Sequence, residues 1–320
     1  MWPVYLSLGL IALALGMIAA LLPREAPPPV RLPDLSTSVS QGRSSTPEED
    51  LPKGAEGQGA PRPPQGGGAI GGPTVQETVH TAVYRATSPP EGKLIFVIDD
   101  VGNNLDELKP FLEFPGALTL SILPQRPYTL AAYAMIVSAR KVPILHQPME
   151  ADGHANPGPG AIYPSMSRAE IDALLARNLQ GMPEIQWVNN HEGSKTTSDP
   201  AAMLDVLSYL NDRDIHFLDS RTTAATAVPE VAKELGLPYY KRNSFFLDDI
   251  VSRADILKAI DAGLAVARRD GYAVMIGHVW DRELPGILID SYPKLVAEGF
   301  AFAGIGDLLE EPVSNVGAGN

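Results

Sequence analysis

Five apolar residues, Leu94 to Ile98, run straight into two adjacent carboxylates, Asp99 and Asp100, and then Val-Gly-Asn-Asn. Two ionised carboxylates side by side repel, and desolvating either is costly unless a cation, a proton or hydrogen bonds compensate. Three histidines close other apolar runs: His146 after VPIL, His191 after IQWVNN and His278 after AVMIG. A lone histidine in such a place is often a hydrogen-bonded core residue, and a strand-end Asp often caps the next helix. Three imidazoles at strand ends are harder to explain that way, and a cap needs only one carboxylate. Cysteine is absent, so a metal would be held by His, Asp, Glu or Asn. Imidazoles with a carboxylate suit a divalent cation such as zinc, with a position open for water. Such a cation answers the carboxylate repulsion: one Asp binds it, and the other stays ionised beside it as a general base. This is the equipment of metal-assisted hydrolysis.

The elements that must position these residues alternate. Apolar strand-like runs appear at LIFVID, ALTLSIL, VPILH, IQWVN, IHFLDS, LPYYK, AVMIGH and FAFAGIG. Helical patterns lie between most of them, and Ser167 with Glu170 three residues on forms a capping-box signature. Strand, helix, strand at this rhythm predicts parallel βαβ units, and seven or eight units suit a β/α barrel better than an open doubly wound sheet. Ligands in either architecture meet the C-terminal strand ends. Those ends carry Asp99-Asp100, His146, Asn189-Asn190-His191, Asp219-Ser220-Arg221, Lys241-Arg242-Asn243 followed by Asp248-Asp249, and His278. Met149 and Trp280 read as packing residues. His80, His154 and His216 fall in a linker, a Gly/Pro-rich loop and a strand start, where no chemistry is expected of them.

The chain has 320 residues and a net charge of −13, which argues against a nucleic-acid partner. Residues 1–22 hold an apolar run long enough for a transmembrane anchor or signal segment, since roughly 20 such residues span a bilayer. Residues 23–91 form a Pro/Gly/Ser-rich stretch, expected to be a disordered linker. The folded domain is expected over 92–311, with a disordered tail at 312–320.

VIDDVGNN, HQPME, NNHEGS, FLDSRT, NSFFLDD and IGH, in that order, resemble the divergent polysaccharide deacetylase family, a branch of the glycoside hydrolase/deacetylase superfamily. The resemblance covers about Lys93 to Asp307. It implies a deformed (β/α) barrel of about seven parallel strands and an envelope-facing location: a single-pass bacterial inner-membrane protein with the barrel in the periplasm. Carried over by position, Asp99 is the base and His278 the acid. Asp100, His146 and His191 are the ligands of a divalent metal, zinc being the expected one. Asn190, Asp219 and Arg221 are the expected substrate contacts. The chain departs from the ordinary deacetylases in two ways. It has no HxxxH pair, and the usual arginine-proline motif is missing, with Arg221 as a candidate replacement.

The expected activity is removal of acetyl groups from an N-acetylated envelope polysaccharide or peptidoglycan. Alternatives on the same barrel are a non-catalytic glycan- or envelope-protein-binding module and a metal-dependent phosphoester hydrolase.

Overall fold

The computed structural model describes residues 90–310 other than residue 154. The expected anchor, the tail and all but the last residues of the expected linker lie outside the described residues. Among the described residues, no helix is long and apolar enough to cross a membrane.

All eight strand-like runs form strands: β1 Lys93–Val101, β2 Thr119–Ile122, β3 Val142–Met149, β4 Trp187–Glu192, β5 His216–Asp219, β6 Tyr240–Lys241, β7 Tyr272–His278 and β8 Ala301–Phe302. Seven helices lie between them: α1 Leu105–Leu112, α2 Thr129–Ser138, α3 Arg168–Asn178, α4 Pro200–Asn211, α5 Val228–Glu234, α6 Arg253–Asp270 and α7 Leu284–Ala297. The capping box at α3 is present, with the Ser167 N–H donating to the Glu170 carboxylate at 2.8 Å. Helix α1 is short and holds Pro110 within it; Asn104 caps it by accepting from the Asp106 N–H.

The strands are parallel and ordered β6-β5-β4-β3-β2-β1-β7, which makes a nearly closed seven-stranded barrel. Side chains alternate faces along each strand. Leu94, Phe96 and Ile98 pack outward against the helices, whereas Ile95, Val97, Ile144, Trp187, Leu218, Val274 and Ile276 fill the interior. Strand β8 pairs only with the start of β1. The chain after it adds Ala303, Ile305 and Leu308 to the interior cluster, and the Ile305 N–H bonds Thr119 Oγ1 at the start of β2. The barrel end opposite the strand C-termini is thereby plugged.

The seam between β6 and β7 is closed by residues 243–247. Asn243 imitates a strand, its Oδ1 accepting from the Val274 N–H at 2.8 Å and its Nδ2 donating to the Tyr272 carbonyl. Ser244 Oγ donates to the Val274 carbonyl, and the Leu247 N–H donates to the Ile276 carbonyl. Replacing Asn243 with Ala leaves a β7 backbone donor without its partner. Asn243→Ala should therefore lower unfolding free energy by about 1–3 kcal/mol in denaturant titration; an unchanged midpoint would mean that the seam is held elsewhere.

Candidate metal centre at the barrel rim

The inward parity of each strand, followed to its C-terminal end, delivers the site. Ile95 and Val97 lead to Asp99, Ile144 leads to His146, Trp187 leads to Asn189 and His191, and Val274 and Ile276 lead to His278. Asp100 should by this count point outward. It does not, because β1 carries a bulge there: Ile98 pairs with Leu120 but Val101 pairs with Ile122, so two residues oppose one. Asp100 takes a left-handed backbone, φ 67°. Such strain is uncommon outside Gly and clusters at functional sites. The bulge turns both carboxylates toward the same rim.

Asp100 Oδ1 lies 3.0 Å from His191 Nδ1 and 3.4 Å from His146 Nε2, and the two imidazole nitrogens are 3.2 Å apart. All three atoms fit within 4.8 Å of one another. Asp100 Oδ1 is buried but makes no well-formed hydrogen bond, despite its short distance to His191. The two imidazole nitrogens face each other at hydrogen-bond distance, with the carboxylate oxygen beside both. Bonds of about 2.1 Å meeting at about 90–110° place donor atoms about 3.0–3.4 Å apart, the spacing found here. The three residues therefore fit one divalent cation. Burial disfavours the charge on Asp100, yet the two imidazoles hold its carboxyl far below the usual carboxylate range. Burial likewise opposes a proton on His146, but Asp99 and Asp100 raise its pKa. The pocket demands positive charge, whether proton or metal.

Asn189 organises what surrounds the trio. Its Oδ1 accepts from His146 Nδ1 at 2.8 Å and from Ser121 Oγ at 2.5 Å, and its Nδ2 donates to Asp99 Oδ1 at 2.9 Å. A proton on His146 Nδ1 leaves Nε2 as the ligand atom. Asp99 is almost fully buried, with Oδ2 3.6 Å from His146 Nε2. Its backbone pairs directly with that of His278 across β1 and β7. The seam residues bring Asp248 against His278: Oδ1 is 2.9 Å from the imidazole Nδ1, and Oδ2 accepts the His278 backbone N–H at 2.6 Å.

Trp280 is more than packing. It is 44% exposed, stacks on His278 with ring centroids 5.0 Å apart, and donates from Nε1 to Asp100 Oδ2 at 3.0 Å. Phe246 stacks on His278 as well.

Five of the expected site residues, Asp99, Asp100, His146, His191 and His278, gather at this rim. Asn190 and Asp219 have the opposite parity and are buried struts. Asn190 joins β4 to β5, its Oδ1 accepting from the Ser220 N–H and its Nδ2 donating to the Glu192 carbonyl. Asp219 accepts from the Arg221 N–H and from the Tyr239 hydroxyl. Burial pushes its carboxyl pKa up. Arg221 reaches Tyr239 and lines a separate cleft beyond β5 and β6. Asn189 and Asp248, strand-end residues to which the sequence assigns no role, and Trp280, which reads as packing, join the site. Counting parity from the apolar residues of β4 would have chosen Asn189 over Asn190.

A family model for divergent polysaccharide deacetylases matches residues 96–309, more than half of the chain. The chain belongs to the divergent polysaccharide deacetylase family. Its barrel is therefore a deacetylase-like fold. It is 32% identical over 198 residues to an uncharacterized protein of Haemophilus influenzae, covering 62% of this chain and 70% of that one. It is 31% identical over 207 residues to the uncharacterized protein YibQ of Escherichia coli, covering 62% of each. The match thus spans less than two thirds of the second relative's length. An uncharacterized protein of Agrobacterium tumefaciens has the same fold, with a TM-score of 0.66 at 20% identity, covering 70% of this chain and 91% of that one.

Outer hydrogen bonds to metal-binding imidazoles typically change affinity by about 10–100-fold. Asn189→Ala should weaken zinc binding by about that factor in competition titration, with the far-ultraviolet circular dichroism unchanged, whereas Asn190→Ala should not. Equal effects of the two substitutions would contradict the parity argument.

Proposed function

We propose that this chain is a metal-dependent hydrolase of the polysaccharide deacetylase type, removing acetyl groups from an N-acetylated polysaccharide or peptidoglycan of the bacterial envelope. The reading is carried by the convergence of Asp100 Oδ1, His146 Nε2 and His191 Nδ1 on one point, flanked by a carboxylate and an imidazole, Asp99 and His278, outside the trio. A divalent cation held by the three, zinc being well suited to two nitrogens and one oxygen, would act as a Lewis acid on a carbonyl and on water.

The protein's own groups do the rest. Asp99, kept in place by Asn189 Nδ2, is the base that takes a proton from the attacking water. His278, its Nδ1 engaged by Asp248, hands a proton from Nε2 to the departing amine nitrogen. The water oxygen first adds to the carbonyl carbon, and the C–N bond breaks once its nitrogen has taken the proton, giving acetate and a free amine. Phe246 and Trp280 hold the His278 ring between them by stacking. The apolar segment within residues 1–22 supports anchoring in the inner membrane with the barrel in the periplasm.

Burial opposes a charge on His278, but the hydrogen bond and charge of Asp248, with Asp99 and Asp100 beyond, raise its pKa to about 9. An ordinary histidine titrates near about 6.5. The folded value is the higher one, so this group's contribution to stability is present in full below about pH 6.5 and is lost as pH rises through about 9. Histidine NMR titration of the metal-free protein should place His278 near the raised value, and Asp248→Asn should move it down. A normal titration in the unsubstituted protein would remove His278 as the acid held protonated by Asp248.

Asp99→Asn and His278→Ala should each cut turnover on acetylated glucosamine oligomers by about 10²–10⁴-fold, the usual range for a lost general base or acid. Turnover unchanged in both would sink the mechanism, whereas glycan affinity that survives Asp99→Asn with no product formed by either protein would leave a glycan-binding module.

A further inference from the structure

Beyond the ends of β5 and β6 lies an open cleft of about 600 Å³, lined in part by Arg221, Lys241, Arg242 and Arg269, with one carboxylate, Asp270. Arg269 grips both oxygens of Asp270 at 2.7 Å, and Lys241 acts on the same carboxylate only through its charge. Arg221, Lys241 and Arg242 remain. Three cations on one cleft are unexpected in a chain of net charge −13; Asp99, Asp219 and Asp249 act on Arg242 electrostatically without lining the cleft.

Arg242 is built in rather than dangling. Its guanidinium donates to the carbonyls of Ser220, Ser244 and Arg221, and its Cζ lies over the Phe246 ring, 3.9 Å from the ring centre. A guanidinium has five N–H donors, so two remain for a ligand, held in a fixed orientation that suits a carboxylate or a phosphate. Arg221 has a left-handed backbone, φ 56°, like Asp100, and strain of this kind concentrates where ligands are clamped. Phe245, 69% exposed, offers a ring face on the same lining.

The cleft is joined to the rim by a continuous stack. Arg242 lies on Phe246, Phe246 on His278 with centroids 5.7 Å apart, and His278 on Trp280, whose Nε1 bonds Asp100. A sugar chain with one residue at the metal trio would run its neighbours along this stack. We infer that the cleft is a subsite for an anionic group, a carboxylate or a phosphate carried by a sugar residue near the N-acetylated one, so that the preferred glycan is acidic rather than neutral. The inference deepens the deacetylase reading and rests on it for the identity of the ligand as a glycan.

Calorimetry on the full chain with three probes tests it: an oligogalacturonate hexamer, a phosphorylated glucosamine disaccharide and neutral chitohexaose. At least one anionic probe should bind about tenfold more tightly than the neutral one at low salt, with the advantage shrinking as salt rises. The two anionic arms separate carboxylate from phosphate. Lys241→Glu should abolish the preference, and Lys241→Arg should keep it and show that the fold tolerates change there. Equal affinity for all three probes, or a preference that survives Lys241→Glu, would overturn the inference. Anion preference without deacetylation would leave the cleft standing and fell the hydrolase reading. Deacetylation of chitohexaose with no anion preference would do the reverse.

Discussion

Everything at the rim follows from placing two carboxylates and two imidazoles where water is scarce. Asp99 and Asp100 cannot both remain charged in such a place without a positive partner. The protein nevertheless brings them together by an added feature, the bulge in β1 that turns Asp100 out of its strand parity and into a left-handed backbone. Backbone strain of this kind costs on the order of 1–3 kcal/mol and persists only where the surroundings enforce it. Here the enforcing elements are the β1–β7 pairing on one side and the imidazoles facing Asp100 on the other. A divalent cation is the one compensating charge that would also give the arrangement a use.

The barrel behind the rim is what makes the arrangement rigid. Its interior is apolar up to the level of Val97, Ile144 and Ile276 and polar immediately above, where Ser121, Asn189 and Ser220 form a hydrogen-bonded layer under the trio. Buried polar groups are tolerated there because each has partners. Asn189 shows the economy of the design: one amide sets the tautomer of His146 and fixes Asp99. The seam performs a similar double task, since residues 243–247 close the barrel and lead directly to Asp248, the partner of His278.

Much of this was legible in the sequence, because strand ends of a parallel barrel can be located from apolar runs alone. The eight runs became eight strands, and the residues that terminate them include all five that gather at the rim. Helix α1 escapes the reading because it is only eight residues long and holds Pro110, although its cap at Asn104 and its buried Leu108 and Phe111 follow helical spacing. Asn190 and Asp219 were chosen for position at a strand end, without regard to parity; both face away from the interior and tie adjacent strand ends together. Trp280 looked like a packing residue because sequence shows composition, not the exposure or the hydrogen bond to Asp100. Asp248 depends on how a non-strand segment crosses the seam, which no local pattern specifies. The bulge was unreadable for a similar reason: it exists only relative to the register of β2.

On the proposed mechanism, Asp100, His146 and His191 hold one divalent cation. The most direct measurement is elemental analysis, with X-ray absorption at the metal edge, of the full chain purified without chelators, beside a His146→Ala, His191→Ala double variant. About one ion per chain with mixed nitrogen and oxygen ligands is expected, as for an imidazole–carboxylate site, and none in the variant. No ion after exposure to zinc and other divalent metals, or an ion retained by the variant, would contradict it.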